Sequence, residues 1–210
     1  MIKAIFFDND GVLVDTEKYF FISTQQIMAK IGIDLTEEEF IELTLIDNQG
    51  AWKYAREKNI TEVEINKLRI ERNEIYSHYL STEKLIIPGV EEAVCKLSKK
   101  YKLGIVTSSK RDHFEIIHRP TNILHYFDFI LTIEDYSKSK PDPEPYLKAV
   151  ELSGFKRDEC IVVEDSERGL IAASEAGLKC IIIPNHLTKN CNFSRAWKIL
   201  ENIDQLVKIM

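Results

Sequence analysis

Ile2-Lys3-Ala4-Ile5-Phe6-Phe7-Asp8-Asn9-Asp10-Gly11 starts as an apolar run and ends on two carboxylates flanking an amide, with a glycine behind them. The run Ile2 to Phe7 is short and does not alternate with polar residues, as expected of a strand whose two faces are both covered. Four later runs repeat the pattern: Leu103 to Val106, Phe127 to Leu131, Cys160 to Val163 and Cys180 to Ile183. Helical patterns lie between them. Val90, Ala93, Val94 and Leu97 recur at i, i+3, i+4 and i+7, which predicts a helix with a single apolar face. Another is expected to start near Pro143, a residue tolerated in a first turn, and to stop at Gly154. Strand and helix in alternation predict a parallel sheet, hence an α/β fold with a Rossmann-like three-layer core.

One stretch breaks this rhythm. From about Asp15 to Leu85 there are helix signals and no convincing strand, which predicts an inserted α-helical cap subdomain over 15–85, with the core formed by 1–14 and 86–210. Two capping boxes, Thr36-x-x-Glu39 and Thr61-x-x-Glu64, mark helix starts inside it, because hydroxyl and carboxylate satisfy orphan amides reciprocally. Phe20, Ile27 and Ile31, then Ile65, Leu68, Ile75 and Tyr79, are its expected buried stripes. The chain returns to the core near Pro88-Gly89, a turn-forming pair.

A length of 210 residues suits one domain, or one domain with a sizeable insertion. With 44% hydrophobic and 30% charged residues, disorder and fibrous architectures are excluded. The balance of 28 basic against 34 acidic residues gives a net charge of -6, and no basic stretch interleaved with aromatics is present, so no nucleic-acid partner is expected. The N-terminal apolar run is broken at once by Asp8 and Asp10 and lacks the form of a signal peptide. No apolar segment approaches membrane-span length. A soluble cytoplasmic protein is expected, without a membrane partner. Cys95, Cys160, Cys180 and Cys191 form no C-x-x-C pair and are expected as buried free thiols. The five histidines show no zinc-type spacing.

In a doubly wound parallel sheet, ligands bind beyond the carboxyl ends of the strands. The residues at those ends are therefore informative: Asp8-Asn9-Asp10-Gly11 after the first predicted strand, Thr107-Ser108 after the second, Lys140-Pro141 ahead of the Pro143 helix, and Glu164-Asp165 after the fourth. Parallel strands would bring four carboxylates, a hydroxyl and an ammonium into one crevice. Such carboxylates take up protons or recruit a cation, and hard oxygen ligands favour Mg²⁺. Asp8 and Asp10, two apart in extended backbone, point the same way. One can attack an electrophilic phosphorus while its neighbour, held protonated by burial and like charge, delivers a proton to the leaving oxygen. Asp-Asn-Asp-Gly is equally a good turn, Thr107 equally a strand-end hydroxyl, and Asp165 or Ser166 equally a helix cap.

These residues resemble the haloacid dehalogenase superfamily of phosphohydrolases, in its β-phosphoglucomutase-like branch with a helical cap. Residues 7–17, Phe-Asp-Asn-Asp-Gly-Val-Leu-Val-Asp-Thr-Glu, resemble the first motif of that branch. Ile105-Val106-Thr107-Ser108-Ser109 resembles the second, Ser139-Lys140-Pro141-Asp142-Pro143 with Tyr146 the third, and Val162-Val163-Glu164-Asp165-Ser166 with Gly169 the fourth. The motifs span essentially the whole chain in family order. The resemblance implies Asp8 as the nucleophile that forms a phosphoaspartyl intermediate and Asp10 as general acid, then base. It implies Thr107 on the transferring phosphoryl oxygens and Lys140 as the balancing positive charge. Mg²⁺ would be held by Asp8, Asp165 and the Asp10 backbone carbonyl, with Glu164 binding directly or through water. Ser108 and Ser109 would offer backbone amides to phosphate. Thr16 and Glu17, where core meets cap, would touch the leaving group, although Asp15 or Thr16 serves equally as a helix N-cap. Asp47-Asn48-Gln49-Gly50 is a candidate specificity loop.

The expected reaction is hydrolysis of a small phosphorylated metabolite. Mutases of this branch carry a cap-entry histidine where Phe20 stands here, and an arginine in the cap loop where an ungapped reading puts Gln49. Dehalogenases lack the second carboxylate that Asp10 supplies. A catalytically silent binding protein is the remaining alternative. A monomer is expected.

Overall fold

In the computed structural model, which describes residues 1–46 and 49–210, β1 (Ala4–Phe7) leads into the helices α1 (Glu17–Lys30), α2 (Glu37–Phe40), α3 (Trp52–Glu57) and α4 (Glu62–Thr82). The chain continues through α5 (Val90–Leu97), β2 (Lys102–Val106), α6 (Arg111–His118), β3 (Phe129–Leu131), α7 (Glu144–Ser153) and β4 (Cys160–Glu164). It ends with α8 (Glu167–Glu175), β5 (Lys179–Ile182), β6 (Lys198–Ile199) and α9 (Ile203–Ile209). All six strands run parallel in the order β3-β2-β1-β4-β5-β6. This is the Rossmann-like α/β core that the apolar runs predict.

Two compact units divide the chain, Met1–Asp15 with Leu85–Met210, and Thr16–Lys84. In the first unit, alternation along β1 feeds both faces of the sheet. Ala4 and Phe6 join a buried cluster with Val106, Tyr146, Val162, Leu170 and Cys180, which brings α7 and α8 onto one face. Phe7 turns to the other, meeting the Phe127 ring edge-on at 6.0 Å. Every residue of β1 and β4 is buried, and each large side chain so removed from water contributes about 1.5–3 kcal/mol. Register sets Phe7 opposite both Ile105 and Val163, so β1, β2 and β4 end level with one another.

The strands depart from expectation in several places, β5 among them, which runs Lys179–Ile182 rather than Cys180 to Ile183. Phe127 does not open β3: its N–H donates to Leu124 O, closing a 3₁₀ turn over Leu124–Tyr126, and pairing begins two residues later. β1 begins at Ala4 rather than Ile2. β6 carries no sequence signal, being two exposed residues at the sheet edge. Cys160 and Cys180 are buried thiols as expected, whereas Cys95 and Cys191 are half-buried.

The second unit packs α1 against α4. Its core gathers Ile27, Met28, Leu35, Phe40, Trp52 and Ile65, with Phe20, Ile31, Leu68 and Ile75 partly buried against it. Tyr79 departs from the expected stripe. It stacks on Tyr19 at 5.3 Å, while Tyr76 and Leu80 are the buried residues of that turn. Both capping boxes form, Thr36 with Glu39 and Thr61 with Glu64. Thr16 occupies the N-cap position of α1, but its side chain makes no capping bond. Of the candidate loop, Asp47 and Asn48 lie outside the described residues; the Gln49 and Gly50 N–H groups donate to Leu43 O.

Between the units' boundaries the core binds its own two crossings together. Ile87 N–H donates to Leu13 O, Asp15 N–H donates to Leu85 O, and Val14 pairs antiparallel with Ile86.

Gly104 shows how tightly the sheet face is filled, since a Cβ there would overlap the Phe129 ring, which in turn packs edge-on against Phe6 at 5.8 Å. Gly104→Ala is expected to lower stability by about 1–3 kcal/mol through forced displacement of that ring, read as a shift in urea midpoint with unchanged slope. An unshifted midpoint would show that the ring yields freely.

Candidate active site

The level ends of β1, β2 and β4 deliver the chemistry. Asp8 is the residue after β1, its N–H donating to Val163 O at 2.9 Å, and Thr107 follows β2 with its N–H on Leu131 O at 2.9 Å. Behind Asp8 the chain reverses on Asn9, whose carbonyl accepts from the N–H groups of Val12, Leu13 and Val14. Gly11 makes the reversal possible. Its φ of +82° suits glycine, and a Cβ there would collide with the Asp165 carboxylate.

Lys140 is buried among three acceptors. Its Nζ donates to Asp8 Oδ1 at 2.8 Å, to Glu164 Oε1 at 2.7 Å and to Val106 O at 2.8 Å. Tyr146 donates its hydroxyl to the same Glu164 oxygen at 2.7 Å. The other oxygen of Glu164 accepts from the N–H of Asp165 and from the N–H and hydroxyl of Ser166. Gly169 leaves room for this carboxylate, which a Cβ would overlap. Ser166 also caps α8 by accepting from Gly169 N–H at 3.1 Å, so the capping role belongs to Ser166 rather than Asp165.

Asp10 is surrounded differently. Its Oδ2 accepts from the Ser109 hydroxyl at 2.7 Å, the Thr107 hydroxyl at 3.0 Å and the Asn9 side-chain NH₂ at 3.3 Å. Thr107 Oγ1 accepts in turn from Ser109 N–H at 3.0 Å. The Ser109 amide expected for phosphate is thus engaged, and its hydroxyl holds Asp10 instead. The Ser108 hydroxyl is buried nearby. Tyr136 donates to Thr107 O at 2.7 Å, fixing the end of β2 from the far side. Asp8, Asp10, Thr107, Lys140, Glu164 and Asp165 all stand at one edge of the core. Thr16 and Gln49 belong to the helical unit.

Residues 5–183 match the family model for haloacid dehalogenase-like hydrolases. The chain belongs to that family. The β-phosphoglucomutase of Bacillus subtilis is 31% identical over 191 residues, covering 84% of this chain and 81% of its own. A phosphorylated carbohydrates phosphatase of Thermotoga maritima is 30% identical over 186 residues, covering 86% of this chain and 84% of its own. Among solved structures, CbbY of Rhodobacter sphaeroides in complex with xylulose-(1,5)bisphosphate superposes with a TM-score of 0.82 at 25% identity, over 98% of this chain and 96% of that one. These relatives place the chain in the β-phosphoglucomutase-like branch of the haloacid dehalogenase-like hydrolases.

The donor set in this family member suits a hard divalent cation. Asp8, Glu164 and Asp165 each offer an oxygen within 4.8 Å of the others, and among them Lys140 supplies one positive charge against three carboxylates. An all-oxygen group of this kind fits Mg²⁺. Asn185, on the segment after β5, donates its side-chain NH₂ to Asp165 Oδ2 at 2.7 Å, and its own Oδ1 accepts from the N–H groups of Leu187 and Thr188. Nothing in the sequence marks Asn185 or His118, whose ring nitrogen lies 2.7 Å from Asn9 Oδ1. Thr107 and Ser109, two apart after a strand, do share a side, and that spacing is the one readable sign of their joint hold on Asp10.

Burial, then the neighbouring charge of Glu164, raises the Asp8 carboxyl from its ordinary 3.8 to about 8, against the opposing pull of Lys140. Burial also pushes Glu164 up, but the Lys140 charge and the hydrogen bonds from Lys140, Tyr146 and Ser166 outweigh it, leaving that carboxyl below its ordinary value. Folded Asp8 therefore keeps its proton where the unfolded chain has lost it. Its contribution to stability is complete below the unfolded pKa and is lost as pH rises toward the folded one. In metal-free buffer, Asp8→Asn is expected to gain on the wild type between about pH 5 and about pH 8, read as the difference in urea midpoints. A pH-independent difference would place the shared proton on another group.

Proposed function

We propose that this hydrolase is a Mg²⁺-dependent phosphatase of small phosphomonoesters that works through a phosphoaspartyl intermediate on Asp8. The observation that carries the reading is the contrast between two carboxylates two residues apart: Asp8 on the Lys140 ammonium, Asp10 among neutral donors. Environments that differ in this way separate nucleophile from acid. Once Asp8 has given up its proton to solvent, one of its oxygens attacks phosphorus, the bond from phosphorus to the alcohol oxygen breaks, and the proton of Asp10 passes to that oxygen. Water then attacks the phosphoaspartate, Asp10 takes its proton, and the bond to Asp8 breaks to release phosphate.

Lys140 offsets the charge that accumulates on Asp8 and the transferring oxygens, and Thr107, with the amide of Ser108, faces the same group. Mg²⁺, when bound, supplies further positive charge to the phosphoryl oxygens. Asp8, Asp165 and the Asp10 carbonyl would hold it, with Glu164 acting through water because both of its oxygens already accept hydrogen bonds. The helical unit is proposed as the cap, with Thr16 and Gln49 toward the leaving group. Phosphatase is favoured over mutase by Phe20, a hydrocarbon ring packed edge-on against Tyr76 at 5.3 Å with the Arg72 guanidinium over its face at 4.2 Å. That ring cannot carry a proton to or from a sugar hydroxyl. Relatives named for phosphorylated carbohydrates and for β-phosphoglucomutase make sugar phosphates the first class to test.

Phosphate release from a panel of small phosphomonoesters, glucose 1-phosphates included, is expected with Mg²⁺, is expected to stop with chelator, and is expected to vanish in Asp8→Asn. Asp10→Asn is expected to lose about 10²-fold or more in kcat. Isomerisation of a sugar phosphate without release would instead make the chain a mutase, and silence in both assays would make it a binding protein.

A further inference from the structure

We propose that His118 is a positioning residue for Asp10, acting through the side chain of Asn9. The inference rests on the phosphatase reading, in which Asp10 gives and takes the proton. His118 closes α6, and both it and Asn9 are buried, Asn9 fully. His118 Nε2 lies 2.7 Å from Asn9 Oδ1, and the Asn9 NH₂ donates to Asp10 Oδ2 at 3.3 Å. A carboxylate accepts only from the NH₂ side of an amide, so the Asn9 oxygen must face the ring. Nε2 must then carry the hydrogen. Nδ1 is left with a lone pair 3.1 Å from the Thr121 hydroxyl, which shares its one hydrogen between that lone pair and the His118 carbonyl oxygen.

The Thr121 hydroxyl donates to the His118 carbonyl oxygen at 3.0 Å, and Phe114 packs against the imidazole with ring centroids 4.5 Å apart. The ring is thereby held from two sides. Burial lowers the His118 pKa to about 4, the Asp10 charge only partly opposing this, so the imidazole is neutral wherever a phosphatase of this kind works. With its one hydrogen on Nε2, the neutral ring offers Asn9 a donor and no acceptor. That fixed polarity locks the amide orientation, and the amide brings a third donor to the Asp10 oxygen already held by Thr107 and Ser109. Removing the ring nitrogen would free the amide to rotate and turn its oxygen toward Asp10, where it repels the carboxylate. His118 touches no substrate in this scheme.

A purely structural histidine would affect every substrate alike when replaced, and leaving-group dependence tells the two roles apart. An alkyl phosphate needs its leaving oxygen protonated, whereas 4-nitrophenyl phosphate expels a stable anion. Comparison of kcat/KM, which reports steps through phosphoenzyme formation, is therefore the readout, on wild type, His118→Leu, His118→Gln, Asn9→Leu and the double variant His118→Leu/Asn9→Leu. Expected for His118→Leu and Asn9→Leu is a loss of about tenfold or more with the alkyl ester and less than about threefold with the aryl ester. The double variant should be no more selective than Asn9→Leu alone, and His118→Gln, which keeps a side-chain N–H, should recover most of the alkyl activity. Long-range ¹H–¹⁵N spectra of the labelled chain should show a neutral Nε2–H ring whose Nε2 signal moves in Asn9→Leu.

Equal losses on both esters, additive selectivity in the double variant, or an Nδ1–H ring would overturn the inference while leaving the phosphatase reading intact. Absence of release by the wild type from every ester would overturn both. Should His118→Leu fail to fold, His118→Gln, Asn9→Leu and the tautomer measurement still decide.

Discussion

A single buried ammonium lies where the ends of β1, β2 and β4 meet, and Lys140 is held there by Asp8, by the backbone carbonyl of Val106 and by Glu164. Desolvating a lysine costs several kcal/mol, and only acceptors on every side make the position tolerable. Satisfying it therefore fixes how the three strand ends stand relative to one another. Glu164 carries the constraint outward through Tyr146 on α7 and through Ser166, which caps α8. Gly169 must remain without a side chain for that carboxylate to rest against the first turn of α8. One cation thus organises three strands and two helices, and Asp8 is among the groups it holds.

The same arrangement puts two chemically identical side chains in different surroundings. Asp8 faces a fixed positive charge and two other carboxylates; Asp10 faces hydroxyls and an amide. The ammonium holds one oxygen of Asp8, and hydroxyl and amide donors converge on one oxygen of Asp10. Thr107 follows β2 directly, and its hydroxyl is committed to Asp10. Sheet register and the placing of these carboxyl groups are therefore set by the same few residues.

The apolar runs revealed β1, β2, β4 and β5 because a strand covered on both faces has to be apolar throughout. β6 escaped notice because Lys198 and Ile199 are exposed and draw their place from pairing with β5 alone. In the helical unit both capping boxes were legible, being local, but the buried turn of α4 centres on Tyr76 and Leu80 rather than Tyr79, a choice made by tertiary packing. The site divides along the same line. Asp8, Asp10, Lys140 and Asp165 were readable because each sits in a short motif at a strand end. His118 on Asn9 and Asn185 on Asp165 were not, since those contacts join residues 109 and 20 positions apart, and only the folded core brings them together.

The backbone bonds that join Leu13 to Ile87 and Asp15 to Leu85 give the core something like a clasp. Whatever lies between them begins and ends at neighbouring points, so the core closes on itself without reference to the inserted helices. Loop-closure entropy grows only slowly with the number of residues enclosed. A core fastened in this way can accept inserts of quite different length and architecture at nearly constant cost to its own stability. Diversification of the helical unit is thereby uncoupled from preservation of the carboxylates of Asp8, Asp10, Glu164 and Asp165, which lie entirely on the fastened side.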